Sequence, residues 1–310
     1  MTLRKASMRN TGMSSVATAL YQSLLEEGIE IPRRETLVAY REAVGNEFAA
    51  EIQAAVAAFD GDIKIIDIAG ISCRQLTPPG WAIEKDNCIL YAYGGGYISG
   101  STSEDLVITA ELARHSGLRI VMVEYRLSPE HPYPLPQQDM RQVYAALLDQ
   151  YGAARLIVSG ESAGGNQALS LMQHARDSGL ALPRCAVLFS PWCDLANQGD
   201  SHIFNDSRDP TLNNAWVDVA ASWHAGDCPL DDPGLSPIHG NMSGLPPCII
   251  TTGSRDLLLS QCLRLAAKLH AARVECDLRV WDGLWHVFEF YPIPEAQLSI
   301  AEVAEFIQAH

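Results

Sequence analysis

Ile157-Val158-Ser159-Gly160-Glu161-Ser162-Ala163-Gly164-Gly165 reads as a buried strand, a turn too tight for any but small residues, and the start of a helix. Gly160 to Gly164 fits G-x-S-x-G, in which the glycines let strand and helix approach closely while the serine hydroxyl stands at the top of a sheet. Five residues alone are a weak signal, and a plain Gly-rich strand-to-helix turn is the competing reading. The flanks favour the nucleophile elbow. Leu156 to Val158 is apolar, and Ala168, Leu169, Leu171, Met172 and Ala175 follow with helical spacing.

Outward from this stretch, strands and helices take turns. Asn87 to Tyr91 and Arg119 to Val123 read as strands before it, with helices over 104–116 and 137–151 between them and the elbow. After it come a helix over 166–178, strands at Cys185 to Phe189, Pro247 to Thr252 and Asp277 to Trp281, a helix over 261–272, and a closing helix from Pro294 to Ala309. Such alternation predicts a mainly parallel sheet covered by helices on both faces. Two alternating runs, Ile63 to Ile68 and Ile71 to Leu76, meet at Ala69-Gly70 and predict an antiparallel pair, which brings the expected strands to eight. Two segments stand outside this rhythm. Residues 1 to about 55 read as amphipathic helices with no strand before them, on stripes Val16, Leu20, Leu24, Leu25 and Leu37, Tyr40, Val44, Phe48. Between Pro191 and Pro246 the chain is rich in Pro, Asp and Asn, with one helix expected near Ala215 to His224; so long a stretch without strands is an insertion rather than a loop.

With 310 residues the chain can build one large α/β domain with an elaboration, or two modest domains. A net charge of -15 argues against nucleic acid or anionic lipid as the main partner. Mean hydropathy is +0.00, and the apolar runs are strand-sized, so no membrane association is expected. The N-terminus carries Arg4, Lys5 and Arg9 but no apolar core behind them, which reads against a secretory signal. The eight cysteines lie mostly inside apolar runs without a C-x-x-C pair, as expected for buried free thiols in a reducing cytoplasm rather than for disulfides or zinc.

A serine at an elbow needs a base, and the base needs an orienting carboxylate. In this architecture the order is Ser, acid, His, each on a loop after a strand. His270 falls within a predicted helix and His310 is the last residue; His286 follows the strand Asp277 to Trp281 and is the candidate base. Asp256, after the strand Pro247 to Thr252, is the candidate acid, and Asp194, after Cys185 to Phe189, is its rival. The oxyanion of an acyl-transfer intermediate needs amide donors. Ala163, close to a helix N-terminus, can supply one, and Gly94-Gly95-Gly96 at the end of the third strand the others, since without Cβ atoms their amides can face a substrate. A phosphate-loop reading of Gly95 to Thr102 fails because Ser101 stands where a lysine is needed.

Together these residues resemble the hormone-sensitive-lipase-like carboxylesterases of the α/β-hydrolase superfamily. The resemblance is carried by Gly94-Gly95-Gly96, by Glu124-Tyr125-Arg126-Leu127-Ser128-Pro129-Glu130-His131-Pro132-Tyr133-Pro134, by Gly160 to Gly165, by Ser190-Pro191-Trp192-Cys193-Asp194-Leu195, and by the Asp256 and Trp285-His286-Val287-Phe288 segments. It implies an α/β-hydrolase fold with a helical cap: cap helices over 1–55, a catalytic domain over 56–194 and 246–310, and a cap insertion over 195–245. It also implies cofactor-free, metal-free hydrolysis of a small-molecule ester of short or medium acyl chain. The triad would be Ser162, Asp256 and His286, with Gly95, Gly96 and Ala163 as the oxyanion hole. A lactonase or amidase with the same triad and a non-catalytic small-molecule receptor are the alternatives, and a homodimer stays open. One position departs from the family pattern: Tyr93 stands where H-G-G-G has its histidine, and its phenol could brace the glycine loop by donating to a nearby carbonyl. Glu161, where the family commonly has an acid, reads as support for nearby loops.

Overall fold

The structure is a computed structural model and describes residues 7–9, 12–82 and 87–310; Arg4, Lys5 and the segment just before the third predicted strand lie outside these. In chain order the elements are β1 (Ser7–Arg9), α1 (Ser15–Glu27), α2 (Leu37–Glu47), α3 (Ala49–Ala58), β2 (Asp62–Ile68), β3 (Ile71–Thr77), β4 (Cys88–Ala92), α4 (Leu106–Ser116), β5 (Arg119–Val123), α5 (Leu135–Tyr151), β6 (Leu156–Glu161) and α6 (Ala163–Asp177). They continue with β7 (Cys185–Phe189), α7 (Ser201–Phe204), α8 (Asn214–Ala225), β8 (Cys248–Gly253), α9 (Leu259–Ala271), β9 (Cys276–Trp281) and α10 (Pro294–Ala309).

The sheet runs β1-β9-β8-β7-β6-β4-β5-β3-β2, with β2 and β3 antiparallel and the pairs from β5 through to β1 parallel. All eight expected strands are present. A ninth, β1, adds three residues beside β9 and so covers an edge that would otherwise stay open. It is too short to show the alternation that marks a strand in a sequence, which is why residues 1 to 55 read as helical throughout. The central strands are buried end to end, as their unbroken apolar runs require, whereas β2 on the edge alternates. Helices α4 and α10 pack on each other over one face, and α5, α6 and α9 cover the other. At Ala69-Gly70 both residues adopt positive φ, 54° and 84°, which closes the β2–β3 hairpin.

The helix stripes shift where they face a cavity instead of a core. On α1 the buried side is Ala17, Tyr21 and Leu24, while Val16 and Leu25 are exposed. On α2 Leu37 is buried, but Tyr40 and Val44 are half-buried because they line an open space above the sheet. The insertion after β7 contains α7 and α8 and no strand. Seven of the eight cysteines are buried, and all are free thiols. Among the described residues no helix is long and apolar enough to cross a membrane.

Candidate active site

Ser162 sits between β6 and α6 with φ 52° and ψ -117°, a region that costs a non-glycine residue about 1–3 kcal/mol and persists only when its surroundings hold it. They do so here. The Ser162 amide donates to the Phe189 carbonyl at 2.9 Å, and its carbonyl accepts from Trp192 at 2.9 Å. The small residues around it are required by contact: a Cβ on Gly164 would run into the Ala92 carbonyl, and one on Gly165 would lie 2.8 Å from the Pro191 Cβ. Strand and helix therefore cross at backbone distance, and the serine is lifted to the sheet's upper edge.

The Ser162 hydroxyl lies 2.9 Å from His286 Nε2, and His286 Nδ1 lies 3.1 Å from Asp256 Oδ1. A carboxylate only accepts, so Nδ1 carries the proton and Nε2 is left to accept from the serine. Asp256 is held in turn by the Leu258 amide at 2.7 Å and the Thr252 hydroxyl at 2.8 Å. Burial opposes charge on both groups. Yet the pair's mutual attraction keeps Asp256 below the usual carboxylate range and His286 above the usual imidazole range, Asp209 and Glu289 adding only to the rise at His286.

Asp194, the rival acid, is buried but committed elsewhere: its carboxylate accepts from Arg264 at 2.6 Å and from the Ala196 amide at 3.1 Å. His270 bonds the Cys276 carbonyl and His310 the Phe306 carbonyl, both away from Ser162's partners. Asp209 is a neighbour that the sequence did not single out. It is buried, accepts the Leu257 amide at 2.8 Å, and burial together with nearby Asp256 pushes its pKa up to about 7. It lies in the Pro- and Asp-rich insertion, where no spacing distinguishes one aspartate from the next.

Gly94, Gly95 and Gly96 line the same cavity as Ser162 and His286. Gly95 and Gly96 take positive φ, 83° and 61°, and so turn their amides in a way that side-chain-bearing residues resist. Ala163 is the first residue of α6, where the amides have no partner within the helix. Behind the loop, the carboxyl of Glu161 fills the space that a Gly94 side chain would need. Burial pushes that carboxyl's pKa well up, with Asp105 adding to the effect.

Tyr93 donates its phenol to the Tyr125 carbonyl at 3.0 Å, while Tyr125 donates back to the Tyr93 carbonyl at 2.8 Å. The two rings stack at 4.2 Å. The phenol thus donates to a nearby carbonyl, as expected, and the bond is reciprocal; a bracing role for it makes a prediction. Tyr93→Phe should cost about tenfold in kcat with little change in KM, less than the 10²–10³ that follows loss of a whole oxyanion donor. Tyr93→His should keep more activity than Tyr93→Ala. Steady-state kinetics on an activated ester checks this, and parent-like turnover in all three variants would leave the brace without a role.

The cavity holds about 410 Å³. Its floor is the glycine loop, Ser162 and His286, and its walls come from Leu24, Tyr40, Val44 and Phe48 on the N-terminal side and from Leu212 and Trp216 of the insertion.

Comparison with known proteins identifies the family of the fold. Residues 89–290 match a family model described as the alpha/beta hydrolase fold. An esterase of Acinetobacter venetianus is 30% identical over 248 residues, 79% of this chain and 81% of that protein. The chain belongs to the α/β-hydrolase family. Within it, an acetyl-hydrolase of Streptomyces hygroscopicus is 31% identical over 73% of this chain and 77% of its own. A crystal structure of a hormone-sensitive lipase from a metagenome library superposes with a TM-score of 0.86 at 31% identity, covering 96% of this chain and 99% of that one. This α/β-hydrolase is a member of the hormone-sensitive-lipase-like branch.

Proposed function

We propose that this carboxylic ester hydrolase works as a serine esterase that forms an acyl-enzyme on Ser162 and releases it with water activated by His286. The observation that carries this reading is the unbroken Ser162–His286–Asp256 chain of hydrogen bonds on the cavity floor. In acylation His286 Nε2 takes the Ser162 proton as the hydroxyl attacks the ester carbonyl, and Asp256 stabilises the imidazolium that results. The oxyanion is received by the amides of Gly95, Gly96 and Ala163. His286 then passes its proton to the departing alkoxide, and the same steps run with water to free the acid.

The N-terminal helices and the insertion are proposed as a cap, because they supply the cavity walls that the sheet cannot. The cavity of about 410 Å³, with Leu24, Val44, Phe48 and Leu212 in its lining, suits acyl chains of short or medium length. An ester series from acetate to laurate, run beside matched lactones and amides, tests this. Turnover should peak among the shorter esters; faster turnover of lactones or amides, or none of any class, would contradict the assignment.

The raised pKa of His286 sets a second expectation. Its neutral form is the base, so kcat/KM should fall tenfold per pH unit below a value higher than the ~6.5 of an unperturbed imidazole. Asp209→Asn removes one of the nearby carboxylates and should move this acid limb to lower pH. A pH–rate profile for both proteins is the measurement, and a limb at or below the unperturbed value in the parent would contradict the coupling.

A further inference from the structure

The side of α8 that faces inward carries Trp216, Ala220 and His224, four residues apart and therefore aligned along one face of the helix. All three are buried, and all three meet the glycine loop or its end. A Cβ on Gly96 would collide with the Trp216 ring and come within 3.1 Å of the Ala220 Cβ. One turn further on, the His224 ring lies flat on Tyr97, with centroids 3.7 Å apart and planes 5° from parallel. Tyr97 directly follows Gly96 and holds a φ of 66°, a conformation that a bulky residue keeps only where its surroundings over-determine it.

Tyr97 is held accordingly. Its phenol donates to Asn166 Oδ1 at 2.7 Å, and its carbonyl accepts the Ser128 amide at 2.8 Å. His224 shares one of these partners, Ser128. Gln137 donates to its Nε2 at 3.1 Å, so the proton sits on Nδ1, which donates to the Ser128 hydroxyl at 3.0 Å. Burial pushes the ring's pKa down to about 3, in keeping with a neutral side chain that gives one hydrogen bond and receives one.

This explains the segment Glu124 to Pro134, which the proposed mechanism leaves without a task. It is a strap. Ser128 binds both Tyr97 and His224, and the Tyr133 amide donates to the His224 carbonyl at 2.8 Å. On the other flank Arg41 of α2 donates to the carbonyls of Ile98 at 2.7 Å and Ser128 at 2.8 Å, and to Glu130 at 2.8 Å. Both segments over the cavity thus reach the glycine loop through one stretch of chain.

We propose that α8 sets the geometry of the glycine loop, with His224 as the positioning residue that fixes Tyr97 and thereby aims the Gly95 and Gly96 amides. The proposal rests on the ester-hydrolase reading, because only a reaction that develops an oxyanion gives those amides work to do. A cap helix that merely packs would stabilise the fold; one that aims donors must act on the transition state.

The test uses His224→Phe, which keeps a flat ring on Tyr97 but loses both polar links, and Arg41→Gln, which loosens the strap from its exposed flank. Three quantities are read on the full chain: kcat and KM for p-nitrophenyl butyrate, the inhibition constant of an alkyl trifluoromethyl ketone, and Tm. The ketone carries an oxyanion only after Ser162 has added to it, so its affinity reports the aim of the donors. For His224→Phe the expected result is a fall of about tenfold in kcat, KM within twofold, and a parallel loss of ketone affinity. Arg41→Gln should show the same pattern with a smaller fall, and it decides the matter if His224→Phe does not fold. Lower Tm with unchanged kcat and ketone affinity would overturn the proposal, leaving α8 as packing alone. A parent that neither hydrolyses the ester nor binds the ketone would overturn the ester-hydrolase reading and this proposal together.

Discussion

Ser162→Ala is expected to lower ester turnover by about 10⁴ to 10⁶ while leaving the fold intact, the scale on which loss of a triad member acts. The residue has little structural role beyond its hydroxyl, since its strained backbone is held by the Phe189 and Trp192 contacts and alanine can keep both. What disappears is the atom that His286 polarises at 2.9 Å. Residual hydrolysis would come from the oxyanion donors acting on a directly attacking water. Kinetics on p-nitrophenyl butyrate, with circular dichroism as the control for folding, measures the effect. Turnover within tenfold of the parent would remove Ser162 from the chemistry.

Asp256→Asn should cost about 10⁴ in kcat through a different route. An amide at this position can present its NH₂ to His286 Nδ1, which favours the tautomer with the proton on Nε2, where the serine hydroxyl needs an acceptor. It also takes from the imidazolium the charge that stabilises it. Asp194→Asn is the matched comparison. It would leave Arg264 short of its buried partner and should lower Tm, a cost of about 1–3 kcal/mol, while leaving kcat near the parent's. The reverse outcome, with Asp194→Asn inactive and Asp256→Asn active, would move the acid to the loop after β7.

Much of this arrangement was legible in the sequence because its parts are local. The elbow is spelled by residues that must be small where β6 turns into α6, and the collision that a Cβ on Gly160 would make with the Gly164 carbonyl shows why. His286 and Asp256 announced themselves by following strands, and Gly94 to Gly96 by lacking side chains at a strand end. Tyr93 could be assigned a brace because a phenol has one thing to donate; its partner, the Tyr125 carbonyl, lies within the quoted strap.

What stayed hidden depends on residues far apart in the chain. The strand β1 is three residues long and is defined by its pairing with β9. The buried side of α1 is Ala17, Tyr21 and Leu24, since the Tyr21 ring packs at a tilt against Trp285 and its phenol donates to the Arg208 carbonyl. Asp209 and His224 lie in the insertion, and their partners Leu257 and Ser128 lie in other parts of the chain. Such roles follow from tertiary contact, which no window of sequence contains.

Trapping the acyl-enzyme tests the serine mechanism most directly. The protein would be mixed with p-nitrophenyl butyrate, quenched in acid within milliseconds to seconds, and analysed by intact-mass and peptide mass spectrometry. A serine esterase predicts one added butyryl group per chain, located on Ser162, absent from Ser162→Ala and accumulating in step with the burst of nitrophenol. Steady hydrolysis by the parent with the butyryl group on another residue, or with equal labelling of Ser162→Ala, would contradict it.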